Sequence, residues 1–204
     1  MKKRYSILAL IIVPALAYSI SLYFEGRFDL QGSGRFLAIF SMLVLPIFIT
    51  AVIARVAIRS VWLILATFFF QVWLCGSVSY TFPELRGFAH RVNAQYSSNA
   101  LRSAARDIIA AHMSGDLSYR TPAVEEDPRL FRNSLLIADS ELPAELQDHF
   151  AFVDLLQYGT NNRVTIQFAV DQYRGILFDP ANEQTEEVST SETADLHVYQ
   201  LTRP

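Results

Sequence analysis

Two apolar runs, Phe36–Ala54 and Val61–Tyr80, contain no Asp, Glu, Lys or Arg. Each is long enough to cross a bilayer as a helix, because a hydrocarbon core of roughly 30 Å takes about 20 residues at 1.5 Å rise. Arg55 and Arg59 lie between them, so the pair reads as a membrane hairpin with a basic tip. Few other features of a 204-residue chain restrict its fold as strongly.

A third apolar run, Tyr5–Phe24, follows the basic cluster Lys2, Lys3 and Arg4. Two readings compete for it. One is a transmembrane helix kinked at Pro14. The other is a secretory signal peptide with the h-region Ile7–Val13 and Ala15-Leu16-Ala17 as its cleavage site. The run continues through Ile20, Leu22 and Phe24, which favours the retained helix. The expected spans are therefore 5–24, 36–54 and 61–80, with Glu25–Arg35 as a polar loop between the first two. Lys2, Lys3, Arg4, Arg55 and Arg59 fall on one side and Arg27, Arg35, Arg86 and Arg91 on the other. The denser clusters set the cytoplasmic face and place residues 81–204 outside, in the periplasm of a bacterium. None of the three spans holds an ionisable side chain, so the sequence reads as an anchor and not an ion or proton path.

Charge divides the chain at the same place. Residues 1–80 carry seven basic and two acidic side chains, whereas residues 81–204 carry ten Arg, no Lys and eighteen acids, which are nets of +5 and −8. Nucleic acid is excluded as a partner of the acidic part, since phosphate is bound by neutralising it with Lys and Arg. The acidic balance favours a cationic protein partner or serves solubility. Cys75, the one cysteine, lies within the third span, so residues 81–204 have no disulfide and no thiolate metal site.

The expected architecture is a multi-span α-helical membrane anchor, residues 1–80, followed by an extracytoplasmic α+β domain, residues 81–204, with helices first and a small, mostly antiparallel sheet after them. Thr81-Phe82-Pro83-Glu84 reads as a capping box with Pro near the first helical position. The stripe Leu85, Phe88/Ala89, Val92, Tyr96 then repeats at helical spacing, weakened by Gly87. A second stripe, Leu101, Ala104/Ala105, Ile108/Ile109, His112, is out of phase, so a break is expected at Ser97-Ser98-Asn99 and a stop at Gly115. Asp116–Pro128 reads as loop, Arg129–Ala138 as a short helix or strand, and Pro143–His149 as one or two helical turns. Phe152–Gln157 and Val164–Val170 frame a turn-rich loop as a β-hairpin, with further strands at Gly175–Phe178 and Leu196–Leu201. Glu183–Asp195 has Val188 as its one large apolar residue and five acids, and is expected to be a mobile loop.

No nucleophile elbow, P-loop, dinucleotide fingerprint or paired zinc motif is present. The histidines His90, His112, His149 and His197 have no ligand spacing between them; two of them with Asp148 or Asp154 would make a metal site only if the fold assembled it. Asp148-His149 would be an acid–base pair only with a nucleophile the sequence does not identify. No catalytic residue, metal or cofactor is assigned, and enzymatic activity is left open, leaning against. The acids Glu125, Glu126, Asp127, Glu186 and Glu187 are the candidates for steering a partner. The expected role is a membrane-anchored, extracytoplasmic protein-interaction module, either an accessory subunit of an envelope complex or an immunity-type protein neutralising a toxin. The alternative is a membrane-bound hydrolase or ligand-binding sensor with a fold-assembled site in residues 81–204.

Overall fold

The computed structural model describes residues 2–29, 33–56, 61–79, 81–119, 134–158, 163–171, 173–182 and 186–200. The described elements are helices as far as Ser114 and then an antiparallel five-stranded sheet. It divides into two compact units, Met1–Arg91 and Val92–Pro204, each described by itself below.

In the first unit, α1 (Lys2–Phe28) carries Pro14 in its interior and runs four residues beyond the expected end of the first span. Glu25–Phe28 is thus helix and not loop. Gly26 is held within the helix, and Asp29 closes it with its N–H on the Glu25 carbonyl, 3.0 Å, in a left-handed conformation (φ 52°) that Asp tolerates. The second helical stretch comprises α2 (Ser33–Ile39), a π-helical turn (Phe40–Val44) and α3 (Leu45–Val56). Leu45 N–H bonds the Phe40 carbonyl in that wide turn. Pro46 explains it: its ring clashes with the carbonyl four residues back and it has no N–H to offer, so the helix widens there.

Phe36–Arg55 and the helix opening at Val61, α4 (Val61–Ser79), are long and apolar enough to cross a membrane. Their outer surfaces are apolar and open, with Phe48, Trp62 and Phe69 64%, 81% and 64% exposed. Several polar groups at depth bond within the helices, although the Gln71 side-chain oxygen has no hydrogen-bond partner among the described residues. Thr67 and Ser77 hydroxyls donate to the Leu63 and Trp73 carbonyls, and the buried Gln71 amide donates to Thr50 Oγ1 on α3 at 3.4 Å.

The junction to α5 (Pro83–Gln95) differs from the expected capping box. Pro83 is the first helical residue, which makes Phe82 the cap and places Thr81 one position too early. The Thr81 hydroxyl instead donates back to the Val78 carbonyl, 2.8 Å. Gly87, which only weakens the helical pattern in the sequence, has a packing reason: a Cβ there would strike the Tyr23 carbonyl of α1, and one on Gly26 would strike the Glu84 carbonyl of α5. The two backbones cross in contact because both positions lack a side chain. This crossing draws the first turns of α5 into the first unit, so the boundary falls at Arg91 although composition changes near residue 80.

In the second unit, α5 ends at Gln95 and α6 (Ser98–Ser114) begins after an extended Ser97, at the expected phase slip. Gly115 (φ 81°) ends α6: its N–H meets the His112 carbonyl and the Asp116 N–H meets the Ala111 carbonyl, a Schellman arrangement. The strands are β1 (Ser134–Leu136), β2 (Phe152–Tyr158), β3 (Arg163–Ala169), β4 (Arg174–Phe178) and β5 (Leu196–Gln200), each paired antiparallel with the next in sequence. The ambiguous stretch Arg129–Ala138 yields a strand in its described part. Pro143–His149 is a set of turns closed by Leu146 and Gln147 N–H on the Pro143 carbonyl.

Alternation along the strands puts Leu155, Ile166, Phe168, Ile176, Phe178 and Leu196 on one face, all fully buried. This face meets the buried side of α6, made of Leu101, Ala104, Ala105 and Ile108. Each large side chain so buried contributes about 1.5–3 kcal/mol relative to exposure.

The expectation of a mobile 183–195 loop does not hold for its described part. Val188 is buried, and both its N–H and its carbonyl pair with the Asn93 amide at 3.0 Å. Arg102 grips Asp195 through Nε–Oδ2 (2.6 Å) and Nη2–Oδ1 (2.9 Å), with both side chains largely buried. Composition misleads here because polar helix residues hold the loop's backbone, and that needs little apolar surface.

Candidate functional site

In β2, Val153 and Leu155 turn toward α6, which forces Asp154 and Leu156 to the opposite face of the sheet. The register sets Asp154 opposite Gln167 and Leu156 opposite Thr165 on β3. Gln167 stands opposite Leu177 on β4, and Leu177 opposite His197 on β5. A face of this kind is ordinarily solvated in an antiparallel sheet. Here its β2–β3 part is buried, with Asp154, Thr165 and Gln167 1%, 3% and 6% exposed, while Leu177, His197 and Tyr199 are partly buried.

Tyr199 of β5 joins the cluster across β4. Gly175 faces it in the pair, and a Cβ on Gly175 would collide with the Tyr199 hydroxyl and the Phe168 carbonyl, so only glycine leaves the ring room to lie over β4. The ring delivers its hydroxyl to Gln167, whose Nε2 donates to it at 2.6 Å. The phenol O–H is left to donate elsewhere.

Three buried polar atoms on this face have no hydrogen-bond partner among the described residues: Asp154 Oδ1, Thr165 Oγ1 and His197 Nδ1. Burial pushes the Asp154 carboxyl up to about 7, against a smaller downward pull from a backbone hydrogen bond. Tyr199 is also raised, first by burial, then by the negative charge of Asp154, with Asp171 adding to it and the Gln167 bond opposing. Asp154 thus exchanges its proton near neutrality beside a phenol that stays protonated. A carboxyl in that state can accept or donate a proton, and buried polar neighbours without partners among the described residues make this face the candidate site.

The sequence-derived candidates lie elsewhere. Glu125, Glu126 and Asp127 are outside the described residues. Glu186 and Glu187 are exposed, on backbone fixed by Ser98 Oγ and Arg102 Nη1, which donate to the Glu186 carbonyl at 2.6 and 3.1 Å. The histidines are not brought together: His90 Nδ1 meets the Tyr23 hydroxyl at 2.8 Å, His112 Nδ1 meets Tyr119 at 2.6 Å, and His149 stands edge-on to Tyr96. Asp148 is exposed beside His149. Among the described residues no three His, Cys, Asp or Glu side chains form a group able to hold a metal ion.

Asp154 enters the sequence reading only as a conceivable partner of two histidines. Its signal is local: it interrupts the run Phe152–Leu156, and both residues two positions away, Phe152 and Leu156, are apolar. An acid flanked by apolar i±2 neighbours on a strand shares their face.

No known family matches the chain, and neither a curated protein nor a solved structure does.

Proposed function

We propose that the chain is a membrane-anchored protein whose second unit binds a protein partner outside the cytoplasm, as an accessory subunit of an envelope complex or as an immunity-type protein. The anchor reading is supported by the apolar surfaces of Phe36–Arg55 and α4 and by the basic clusters at Lys2–Arg4 and Arg55/Arg59. The observation that carries the binding role is the presentation of Glu186 and Glu187. Both are exposed, yet their backbone is pinned by Ser98 and Arg102, and the next residue is held by Asn93. Acids displayed on ordered backbone meet a cationic partner without first losing loop entropy.

Purification of the full-length chain in mild detergent, after crosslinking in cells, tests this. A stoichiometric protein partner is expected, and the pair Glu186→Lys and Glu187→Lys should reduce its retention and abolish the salt dependence of the contact. Absence of any partner in the crosslinked material would refute the binding role. A toxin gene adjacent to this one would favour immunity over complex assembly.

Asp154 favours a second reading, a small-ligand or hydrolytic site on the buried polar face. Under that reading Asp154→Asn abolishes a cellular phenotype while the protein keeps its abundance and partner.

A further inference from the structure

The crossing of α1 and α5 carries an inference about where the membrane surface lies, and it rests on the anchor reading above. With Tyr5–Phe24 taken as a span, as the sequence suggests, its 20 helical residues counted from Tyr5 cover about 30 Å and end at Phe24. Gly26 and Gly87, where α5 crosses α1, therefore lie just past the end of the hydrocarbon. The Tyr18 hydroxyl bonded to Ser79 Oγ at 3.0 Å ties the end of α4 to α1 about 9 Å below Phe24, and Thr81–Pro83 then carry the chain up to the crossing at Gly26.

The residues at this level have the composition of a membrane–water boundary. Phe24, Phe28 and Phe82 are 44%, 60% and 58% exposed, and Phe24 and Phe28 contact each other at 5.6 Å. Phe82 sits at φ 50°, a turn glycine would make without strain, and its ring stands out from the protein. Polar clasps occupy the same turns: Tyr23 on His90, Arg27 Nη1 donating to the His90 carbonyl, and Arg91 paired with Asp29 at 3.1 Å. Arg86 and His90 are exposed on α5.

We propose that the first two turns of α5 lie in the outer headgroup layer, with Phe24, Phe28 and Phe82 dipping into the acyl–headgroup boundary and Arg86 facing lipid phosphate. The occupant of this exposed aromatic surface is lipid. An apolar face with cationic neighbours enters such a boundary by about 5–10 Å.

The test is spin-label accessibility in vesicles of phosphatidylcholine and phosphatidylglycerol, using the full chain. Cys75→Ala removes its single thiol, and labels are then placed one at a time by Phe28→Cys, Phe82→Cys, Phe69→Cys and Met113→Cys. The expected result is oxygen-dominated relaxation at 69, water-soluble-nickel-dominated relaxation at 113, and nickel accessibility at 28 and 82 several-fold below 113 but above 69. Nickel accessibility at 28 and 82 equal to that at 113, with 69 still in lipid, overturns the proposal and leaves the anchor standing. Labels at 28 and 82 as deep as 69 overturn it as well, since the crossing would then lie in hydrocarbon. A water-accessible label at 69 defeats the anchor reading and this inference with it. Phe24→Cys carries the same expectation should Phe82→Cys fail to fold.

Discussion

The side-chain amide of Asn93 pairs with both backbone groups of Val188, ninety-five residues later, as a strand residue would. The latch holds an acidic segment that has almost no apolar surface of its own. Asn93→Leu removes both bonds and leaves buried backbone groups unpaired, which should lower stability by about 2 kcal/mol. Amide hydrogen exchange checks it: Val188 should lose protection while Ile166, in the centre of the sheet, keeps its own.

The Arg102–Asp195 pair is largely buried and bidentate, so its geometry is not available to lysine. Arg102→Lys should be destabilising although charge is conserved. Arg102→Met should cost about 3 kcal/mol by leaving the buried Asp195 carboxylate without its countercharge, whereas Arg102→Met with Asp195→Leu should recover much of that loss. Denaturation of the parent, Arg102→Met, Asp195→Leu and the double variant in the same detergent gives the coupling energy directly.

Gly26 and Gly87 tolerate no side chain without separating α1 from α5. Gly87→Ala raises intrinsic helix propensity by about 1 kcal/mol and would stabilise a helix in isolation. Here the backbone clash should reverse the sign. Loss of thermal stability in detergent, together with faster proteolysis near Asp29, is the expected outcome.

Asp154 gives the protein a pH dependence opposite in sign to that of an ion-paired acid. Its folded value near 7 lies above the unfolded value of 3.8, so the folded state holds a proton that the unfolded state releases. Stability from this group is complete below about pH 4, falls as pH rises through 7, and is constant above that. The full difference corresponds to about 4 kcal/mol. Asp154→Asn should flatten the decline between pH 4 and 8 and raise the melting temperature at pH 8. A variant that melts lower than the parent at pH 8 would show that the carboxylate is stabilised in place.

The sequence discloses those parts of the fold that depend on periodic burial. Val164, Ile166 and Phe168 alternate cleanly and form β3, and the phase slip at Ser97 becomes the break between α5 and α6. What depends on single contacts between distant residues was not readable. Gly87 looks like a defect until the Tyr23 carbonyl is seen against it, and the capping residues at Thr81 read one position out because a proline fixes the helix start at 83. The burial of Asp154 is not legible in the sequence because residues that alternate with a core ordinarily face water, and this part of the sheet does not. Val188 was visible as the lone large apolar residue in an acidic run, yet the amide that fixes it lies on another element.

The sheet is a simple meander in which each strand pairs with its predecessor, so during synthesis every hairpin can close as soon as it leaves the ribosome. The latches obey a different schedule. Asn93 and Arg102 must wait for Val188 and Asp195, 95 and 93 residues further along the chain. A nascent chain halted at residue 185 would hold four of the five strands and neither fastening. The order of synthesis thus makes the segment bearing Glu186 and Glu187 one of the last parts of the sheet unit to be secured, with β5 following it.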